Sequence, residues 1–581
     1  MRQSNNLSED ALPRRADSAT GAPARSEADV AAPLGFGPAF PTRPAGLVEP
    51  LIEASAAFPM MERLVLEAEH TAHFAFRLFD PETRLQSDEA KSRGFRTWGD
   101  LLVDAARRGV RVRLLLTDFE PVVAHELHEL AWQNAERIER YIAQIPTDAP
   151  GKVDVLVALH EGEIGFGLRS GLWPAVRQKL KRLVSQKPDA VGFPGVAHLM
   201  LASRPRFVPP GRVWPATHHQ KLLVVDGRKT VIGGIDIDER RYDDPEHNRP
   251  TEQTWHDVSL YVDGPVASDA ARHFGDFWNR EVTRYGGGGD QLPGWSLPPG
   301  HDRQTVPRCI PSVRDTMKLA PIDAEVTDGQ PSIRFLRTLS AVRDGPFAIT
   351  PRPVVTEIED AFVETIQSAT RLLYIENQFF RLRRVADLIG KQMEAHPELE
   401  VILLLPMAPD MVAFEHQRGP EMRFGEWLQV RAVRRLIERG GDRFGAFSIV
   451  RSADAEPNLD PRAKAFGSGI IYPHAKVMIA DDRRALVGSA NINGRSFRMD
   501  TEAALAWTDD PRIRAFRDRL FETHLCESAP EGMSPLAYWR ETADFNRDAE
   551  PEDRRGFVVP YQLGVARRFS RFQRFIPEAY L

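Results

Sequence analysis

The sequence predicts an α/β protein made of two similar lobes, each a sandwich of helices packed on a sheet. Three observations carry this prediction. Helices and strands alternate in both halves, the alternation returns after a long interval as an internal duplication, and 581 residues exceed what one hydrophobic core usually organises.

Taken in order, residues 1–47 show no apolar periodicity and are rich in Ala, Pro, Ser and Arg, which predicts a disordered leader. They lack the apolar centre of a signal peptide. From Pro59 to Glu69 the positions Met60, Leu64, Val65 and Ala68 fall at helical spacing, and His73 to Phe79 then reads as a strand stopped by Asp80-Pro81. Thr97 to Arg108 is helical by pattern, Gly109 ends it, and Val110 to Leu116 is a strand. The same alternation recurs with Glu357–Ala369 and Val385–Ala395 as helices and Leu372–Ile375 and Val401–Leu405 as strands. Between the halves, Gly286-Gly-Gly-Gly289, Pro293 and Pro298-Pro299-Gly300 mark a linker. The expected organisation is a first lobe over 48–285, a linker over 286–330, a second lobe over 331–545 and a C-terminal extension over 546–581. A stretch at about 121–194, helix-prone at His125–Ile145 and Val176–Ser185, lacks a visible counterpart in the second half and reads as an insertion, either a cover for the first sheet or a lid near the active cleft.

Composition narrows the function. With 42% hydrophobic and 27% charged residues, and no run near the roughly 20 apolar residues that span a bilayer, the chain reads as a soluble protein. That predicts a cytoplasmic or peripheral membrane location, compatible also with a leaderless specialised export route. Two cysteines, Cys309 and Cys526, make neither a disulfide framework nor a metal-ligand pattern. A net charge of −6 offers no global attraction to nucleic acid, so none is expected as a partner. Only 11 of the 76 basic residues are Lys, so a Lys inside a motif carries weight.

One spacing occurs twice. His219-Gln-Lys221-Leu-Leu-Val-Val-Asp226 and His474-Ala-Lys476-Val-Met-Ile-Ala-Asp481 both fit HxKxxxxD, at matching points of the two halves. Each runs into an apolar strand, where residues i and i+2 share a face, so His and Lys are aimed together. Lys is a compact positive charge for a phosphate oxygen, and His can act as nucleophile or proton donor near neutral pH. Two such pairs allow one His to attack phosphorus while the other protonates the departing alcohol, a division of labour that asks for no metal or cofactor. The motif Asp has opposite strand parity and lies about 23 Å from its His in an extended strand. Asp226 and Asp481 therefore read as structural anchors of the catalytic motifs.

With these motifs the chain resembles the phospholipase D superfamily. Gly488-Ser-Ala-Asn-Ile-Asn493 is similar to the family's GSxN segment, and Gly233-Gly-Ile-Asp236 to the GGxD form of its plant and animal branch. Arg241-Tyr242-Asp243, Trp255-His256-Asp257 and Tyr374-Ile-Glu-Asn-Gln-Phe-Phe380 resemble that branch as well. The resemblance implies two α/β sandwich lobes with mixed central sheets and an active site at their interface. It implies that His219 forms a phosphohistidine, that His474 protonates the leaving alcohol, and that Lys221, Lys476 and Asn491 hold phosphate oxygens, with Ser489 and Asp236 beside them as substrate-binding positions. An acid at Asp236 facing a phosphate is unfavourable unless turned away or hydrogen-bonded. By the same resemblance Glu502 orients His219 and Asp257 orients His474 across the interface.

Other features read more plainly. Trp255 and Phe379-Phe380 are expected to pack rather than touch lipid, Pro409–Gly419 reads as a surface loop ahead of the alternative that it shapes the cleft entrance, and His218, matched by Pro473 in the second copy, has either a supporting role or none. Arg567 to Ile576 sets Phe569, Phe572 and Phe575 at near-helical spacing among arginines, for which an anionic bilayer surface and packing onto a lobe both remain open. The activity expected is phospholipase D hydrolysis of glycerophospholipids at a membrane surface, with possible transfer to other alcohols. Its alternatives are a cardiolipin synthase-like phosphatidyltransferase and, further off, a nucleic-acid phosphodiesterase. Both motifs lie in one chain, so a monomer suffices to complete the site.

Overall fold

The computed structural model describes residues 37–193, 196, 199–201, 204–205, 213–286, 316–318, 331–343, 345–574 and 576–581. Strand β1 (Thr42–Pro44) is followed by the seven strands of the first sheet. These are β2 (Leu47–Ile52), β3 (Thr71–Phe76), β4 (Arg111–Thr117), β5 (Lys152–Ala158), β6 (Leu222–Val225), β7 (Lys229–Gly233) and β8 (Val258–Asp263), in the spatial order β2-β8-β7-β6-β3-β4-β5. The second sheet contains β9 (Ser332–Ala341), β10 (Leu372–Asn377), β11 (Glu400–Leu404), β12 (Phe444–Asp454), β13 (Lys476–Ala480), β14 (Arg484–Gly488) and β15 (Glu502–Thr508), in the order β9-β15-β14-β13-β10-β11-β12. The two orders are the same. In each sheet three strands run parallel, β3-β4-β5 and β10-β11-β12, while the motif strand β6 or β13 joins them antiparallel.

Period-two burial on the motif strands explains why both faces are apolar. Leu222 and Val224 on β6, and Val477 and Ile479 on β13, enter one core shared by the two sheets. Their alternates turn outward, Leu223 and Val225 into the first lobe's helical layer, Met478 and Ala480 into the second's. That first layer includes α1 (Ala54–Glu67) and α2 (Trp98–Arg108). Helix α2 starts at a capping box of Thr97 and Asp100 and ends at Gly109, whose φ of 103° suits the left-handed turn.

Several sequence expectations change. The predicted leader reaches Leu47, yet β1 pairs antiparallel with β9 in the second sheet, and the buried Arg43 is held by Asp269 at 2.7 and 2.8 Å. Residues 1–36 lie outside the described ones. The expected insertion begins too early, because helix α3 (His125–Ile142) and β5 have second-lobe counterparts in α4 (Pro420–Gly440) and β12. The part without a counterpart follows β5 and includes the helix Phe166–Gln186. Charged helix-prone sequence conceals this equivalence, since neither helix carries a motif. The C-terminal extension is integral: Val558–Pro560 pairs with β12. Its arginine-rich end is no continuous amphipathic helix, for the helix Leu563–Phe569 stops at Ser570 and Phe569 lies beneath the guanidiniums of Arg418, Arg423 and Arg462. Phe575 lies outside the described residues. Most of the linker, 287–315 and 319–330, does too, as does Cys309.

Asp226 and Asp481 sit at turns with the same left-handed φ of 52°, a conformation aspartate tolerates. Asp226 accepts from the backbone N–H groups of Glu69, His70 and Thr71 at 2.7–2.9 Å. Asp481 accepts from those of Thr370, Arg371 and Leu372 at 2.7–2.9 Å and from the Thr370 hydroxyl at 2.7 Å. Each carboxylate thus ties the far end of a motif strand to the start of its neighbour, far from its own His. Burial works to raise the Asp481 pKa, but these donors outweigh it and hold it below the ordinary carboxylate value. Replacing Asp481 by Ala is expected to cost about 2 kcal/mol, read as a lower thermal or urea midpoint at neutral pH. The folded-state pKa is depressed, so the stabilisation is complete above about pH 4 and is lost below it, and the gap between variant and wild type should close on acidification.

Candidate active site

The two motif histidines meet where the sheets face each other, and each is held by the opposite lobe. The His219 backbone N–H donates to the Thr501 carbonyl at 2.8 Å, and its Nδ1 lies 3.1 Å from both carboxylate oxygens of Glu502. The His474 backbone N–H donates to the His256 carbonyl at 2.7 Å, and its Nδ1 lies 2.7 Å from Asp257 Oδ2. Strand register makes these two arrangements equivalent. Gly233 pairs with Ser259 as Gly488 pairs with Ala504, so Asp257 and Glu502 occupy the same place in their lobes. With Nδ1 engaged, Nε2 of each ring is the nitrogen left for substrate.

The glycines of the first copy have a steric reason. A Cβ on Gly234 would come within 2.1 Å of Asp257 Oδ1. Ser489 holds the equivalent place in the second copy, and it was expected to bind substrate. Instead its hydroxyl is fully buried, donates to Glu502, and accepts the Ala503 N–H at 3.1 Å. A hydroxyl whose only proton goes to the carboxylate behind His219 positions that carboxylate.

Both lysines are buried at the motif strands. Lys221 Nζ donates to the His219 carbonyl at 2.8 Å and lies 3.8 Å from Asp236 Oδ2. Lys476 Nζ donates to the His474 carbonyl and lies 3.4 Å from Gln378 Oε1, which also accepts from Asn491 Nδ2 at 3.3 Å. Asp236 is turned partly away, as its sequence position requires: Oδ1 accepts the Leu78 N–H at 3.0 Å. His219 is the most open of the four, with 13% of its side chain exposed.

Burial dominates the ionisation of the site. It holds both imidazoles well below their ordinary value, helped by the adjacent Lys221 at His219 and Lys476 at His474. It also lowers Lys476 to about 7, and raises Asp257 to about 6 and Glu502 to about 8. The charges of each half reach the other, Lys476 acting on His219 and Lys221 on His474. At neutral pH the site thus sets Lys221, a partly protonated Lys476 and a largely ionised Asp257 around neutral imidazoles.

Residues outside the motifs complete the picture. His218 Nδ1 lies 2.9 Å from the Thr501 hydroxyl and its ring packs on His160 and Phe277, so it braces the lobe contact. Arg495 bridges Asp500 at 3.0 Å, and Asp500 accepts the Thr217 N–H at 2.8 Å. Behind Asp257, His256 is clamped between Glu53 and Glu376, the latter at 2.8 Å, and His524 lies 3.0 Å from the same Glu376. This is the one His and acid cluster at ligating separation among the described residues, and its atoms already bond one another. Burial opposes charge on His256, but Glu53 and Glu376 together hold it protonated. Sequence reasoning missed Glu53, Thr501 and Asp500. Only a match of strand registers points to them.

Trp255 is buried edge-on against Tyr472 and His474, as expected of a packing group. Phe380 is buried, and Phe379 lies under Arg381. The Pro409–Gly419 stretch is more than a surface loop. Its Asp410 N–H donates to the Tyr472 hydroxyl at 3.2 Å, and Phe414 packs near Trp255, beside His474. Arg241 stacks on Trp255 with its guanidinium carbon 3.7 Å from the ring centre.

Residues 362–524 match the family model described as cardiolipin synthase, PLD-like domain. Phospholipase D1 of Schizosaccharomyces pombe (strain 972 / ATCC 24843) is 28% identical over 368 residues, which are 50% of this chain and 24% of that protein. Phospholipase D alpha 1 of Zea mays is 25% identical over 457 residues, 60% of this chain and 55% of that one. The chain therefore spans about half or less of the length of these curated relatives. Among solved structures, phosphatidylserine synthase of Haemophilus influenzae Rd KW20 aligns over 84% of this chain and 88% of its own at 14% identity, with a TM-score of 0.44. The paired motifs, the matched family model and the curated relatives together support the phospholipase D superfamily.

Proposed function

We propose that the protein is a phospholipase D, hydrolysing the distal phosphodiester bond of glycerophospholipids to phosphatidic acid and a free head group. The observation that carries this reading is the pair of histidines, each oriented by a carboxylate of the opposite lobe, with a lysine beside each. His219 Nε2 attacks phosphorus as the bond to the head-group oxygen breaks, and that oxygen takes its proton from His474 Nε2. A phosphohistidine remains on His219. Water, or another alcohol in a transfer reaction, then gives its proton back to His474 and displaces His219 from phosphorus. Glu502 and Asp257 steady the imidazolium forms, and Lys221, Lys476 and Asn491 hold the phosphate oxygens.

A lipid substrate is supported by the names of the curated relatives and by exposed apolar side chains. Phe347 and Phe166 are 76% and 55% exposed, on segments joined by the Gly165 N–H to Ala348 carbonyl bond of 2.8 Å. No helix among the described residues is long and apolar enough to cross a membrane, which fits a peripheral approach to the bilayer. The net charge of −6 disfavours nucleic acid. The cardiolipin synthase-like alternative rests on the family model and differs only in the acceptor, an alcohol of a second lipid in place of water. Since both histidines lie in one chain, we take the monomer as the working unit, acting without a bound metal.

Mixed phospholipid vesicles with and without ethanol test this. Head-group release and phosphatidylethanol are expected from wild type, undiminished by chelator, with a loss of at least about 1,000-fold in His219→Ala and in His474→Ala. Intact lipid alongside cleaved DNA would overturn the reading.

The ionisation of the site makes a second prediction. Raising the pH removes the Lys476 proton near 7 and completes the charges of Asp257 near 6 and Glu502 near 8, all of which weaken an anion site. Sulfate, a dianion throughout this range, should bind progressively more weakly from pH 6 to 9 by calorimetry, and Lys476→Met should flatten the trend. A flat profile in wild type would contradict it.

A further inference from the structure

Superposing the two halves by strand register pairs positions outside the motifs. Ala75 on β3 faces Leu222, and Glu376 on β10 faces Val477, so Arg77 and Gln378 are equivalent, each just beyond the end of its strand. The continuation agrees: Phe79 bridges Ile237 as Phe380 bridges Ile492, which in turn matches Asp236 to Asn491. In the second lobe the phosphate side of the motif is Lys476, Asn491 and Gln378, with Gln378 Oε1 accepting from both neighbours at 3.3 and 3.4 Å. In the first lobe the same three places hold Lys221, Asp236 and Arg77. A neutral amide pair in one lobe is an acid and a base in the other, and each trio carries a formal charge of +1.

The three first-lobe side chains are not equally engaged. Asp236 uses Oδ1 on the Leu78 N–H at 3.0 Å, and its Oδ2 lies 3.8 Å from Lys221. Arg77 has no carboxylate within ion-pair distance among the described residues. Its guanidinium lies over the Phe119 ring, 5.3 Å from the centre, and its charge bears on His219 and Asp236. A largely enclosed guanidinium without a hydrogen-bonded anion is costly, and a phosphate oxygen is the anion its forked donors fit best.

We propose that Arg77 is the phosphate-binding side chain of the first lobe, supplying there the donor that Asn491 supplies in the second. Asp236 is then a positioning residue. It balances the added charge and ties Leu78, next to Arg77, to the motif hairpin. This rests on the reading that a phosphodiester occupies the lobe interface, and it removes the difficulty of an acid standing where the second lobe has an amide.

Three variants decide it, Arg77→Gln, Asp236→Asn and the double variant, which rebuilds the neutral pair of the second lobe. Two readouts are followed, vesicle turnover and calorimetric binding of sulfate. Arg77→Gln alone leaves Asp236 uncompensated, and should lose about 100-fold in turnover and about tenfold in sulfate affinity. Asp236→Asn should bind sulfate at least as tightly as wild type. The double variant should recover about tenfold over Arg77→Gln on both readouts, a larger gain than Asp236→Asn gives in the wild-type background, as a coupled charge pair predicts. Wild-type behaviour of Arg77→Gln, or a double variant no better than that single one, overturns the proposal. Should Arg77→Gln melt early, Arg77→Lys carries the test: the fork is lost and the charge kept, and unchanged sulfate affinity then overturns the forked contact. A wild type inert toward phospholipid but binding sulfate through Arg77 would overturn the proposed substrate and leave this assignment intact.

Discussion

Everything at the centre of this molecule depends on a reciprocal exchange: each lobe's histidine is held by a carbonyl and a carboxylate from the other. Thr501 and Glu502 serve His219, and His256 and Asp257 serve His474. Neither lobe alone has an oriented imidazole. The hydrophobic core shared by the two sheets keeps these contacts in register, since a shift of one residue in β6 or β13 would exchange its inward and outward faces and move the His and Lys with them. Packing and chemistry are in this sense one constraint.

The second constraint is electrostatic. Two lysines, three carboxylates and several arginines are withdrawn from water at the lobe interface, an arrangement that is expensive without close pairing. The carboxylates are paired with imidazoles or backbone N–H groups, and the His256 imidazolium is clamped between two acids immediately behind Asp257. The cations are compensated less fully. In the proposed reaction a bound phosphodiester would supply the missing negative charge and raise the pKa of both imidazoles, so that substrate itself would prepare His474 as the proton donor. Sites of this kind spend stability on complementarity to the charge they are to receive.

Much of this was legible beforehand. The paired spacing placed both His and Lys pairs, the helix and strand alternation placed the duplicated sheets, and parity along an extended strand separated Asp226 and Asp481 from the phosphate. What failed did so for identifiable reasons. The equivalence of α3 and α4 carries no motif and was hidden by charged sequence. β1 is three residues long and depends on an edge offered by β9, nearly three hundred residues away. Ser489 matched a family segment, but whether a hydroxyl faces substrate or a buried carboxylate is set by its neighbours across the sheet.

The sequence by itself determined which residue types exist in duplicate and at what spacing, because periodicity and motif length are properties of a single strand. It thereby determined the fold class and the four central side chains. Only the tertiary structure decided that Thr501 and His256 hold the histidines by their carbonyls, that Gln378 and Arg77 are equivalent, and that Asp236 is turned toward the Leu78 backbone. Those relations join strands distant in sequence through register and hydrogen bonding, and no local pattern encodes them.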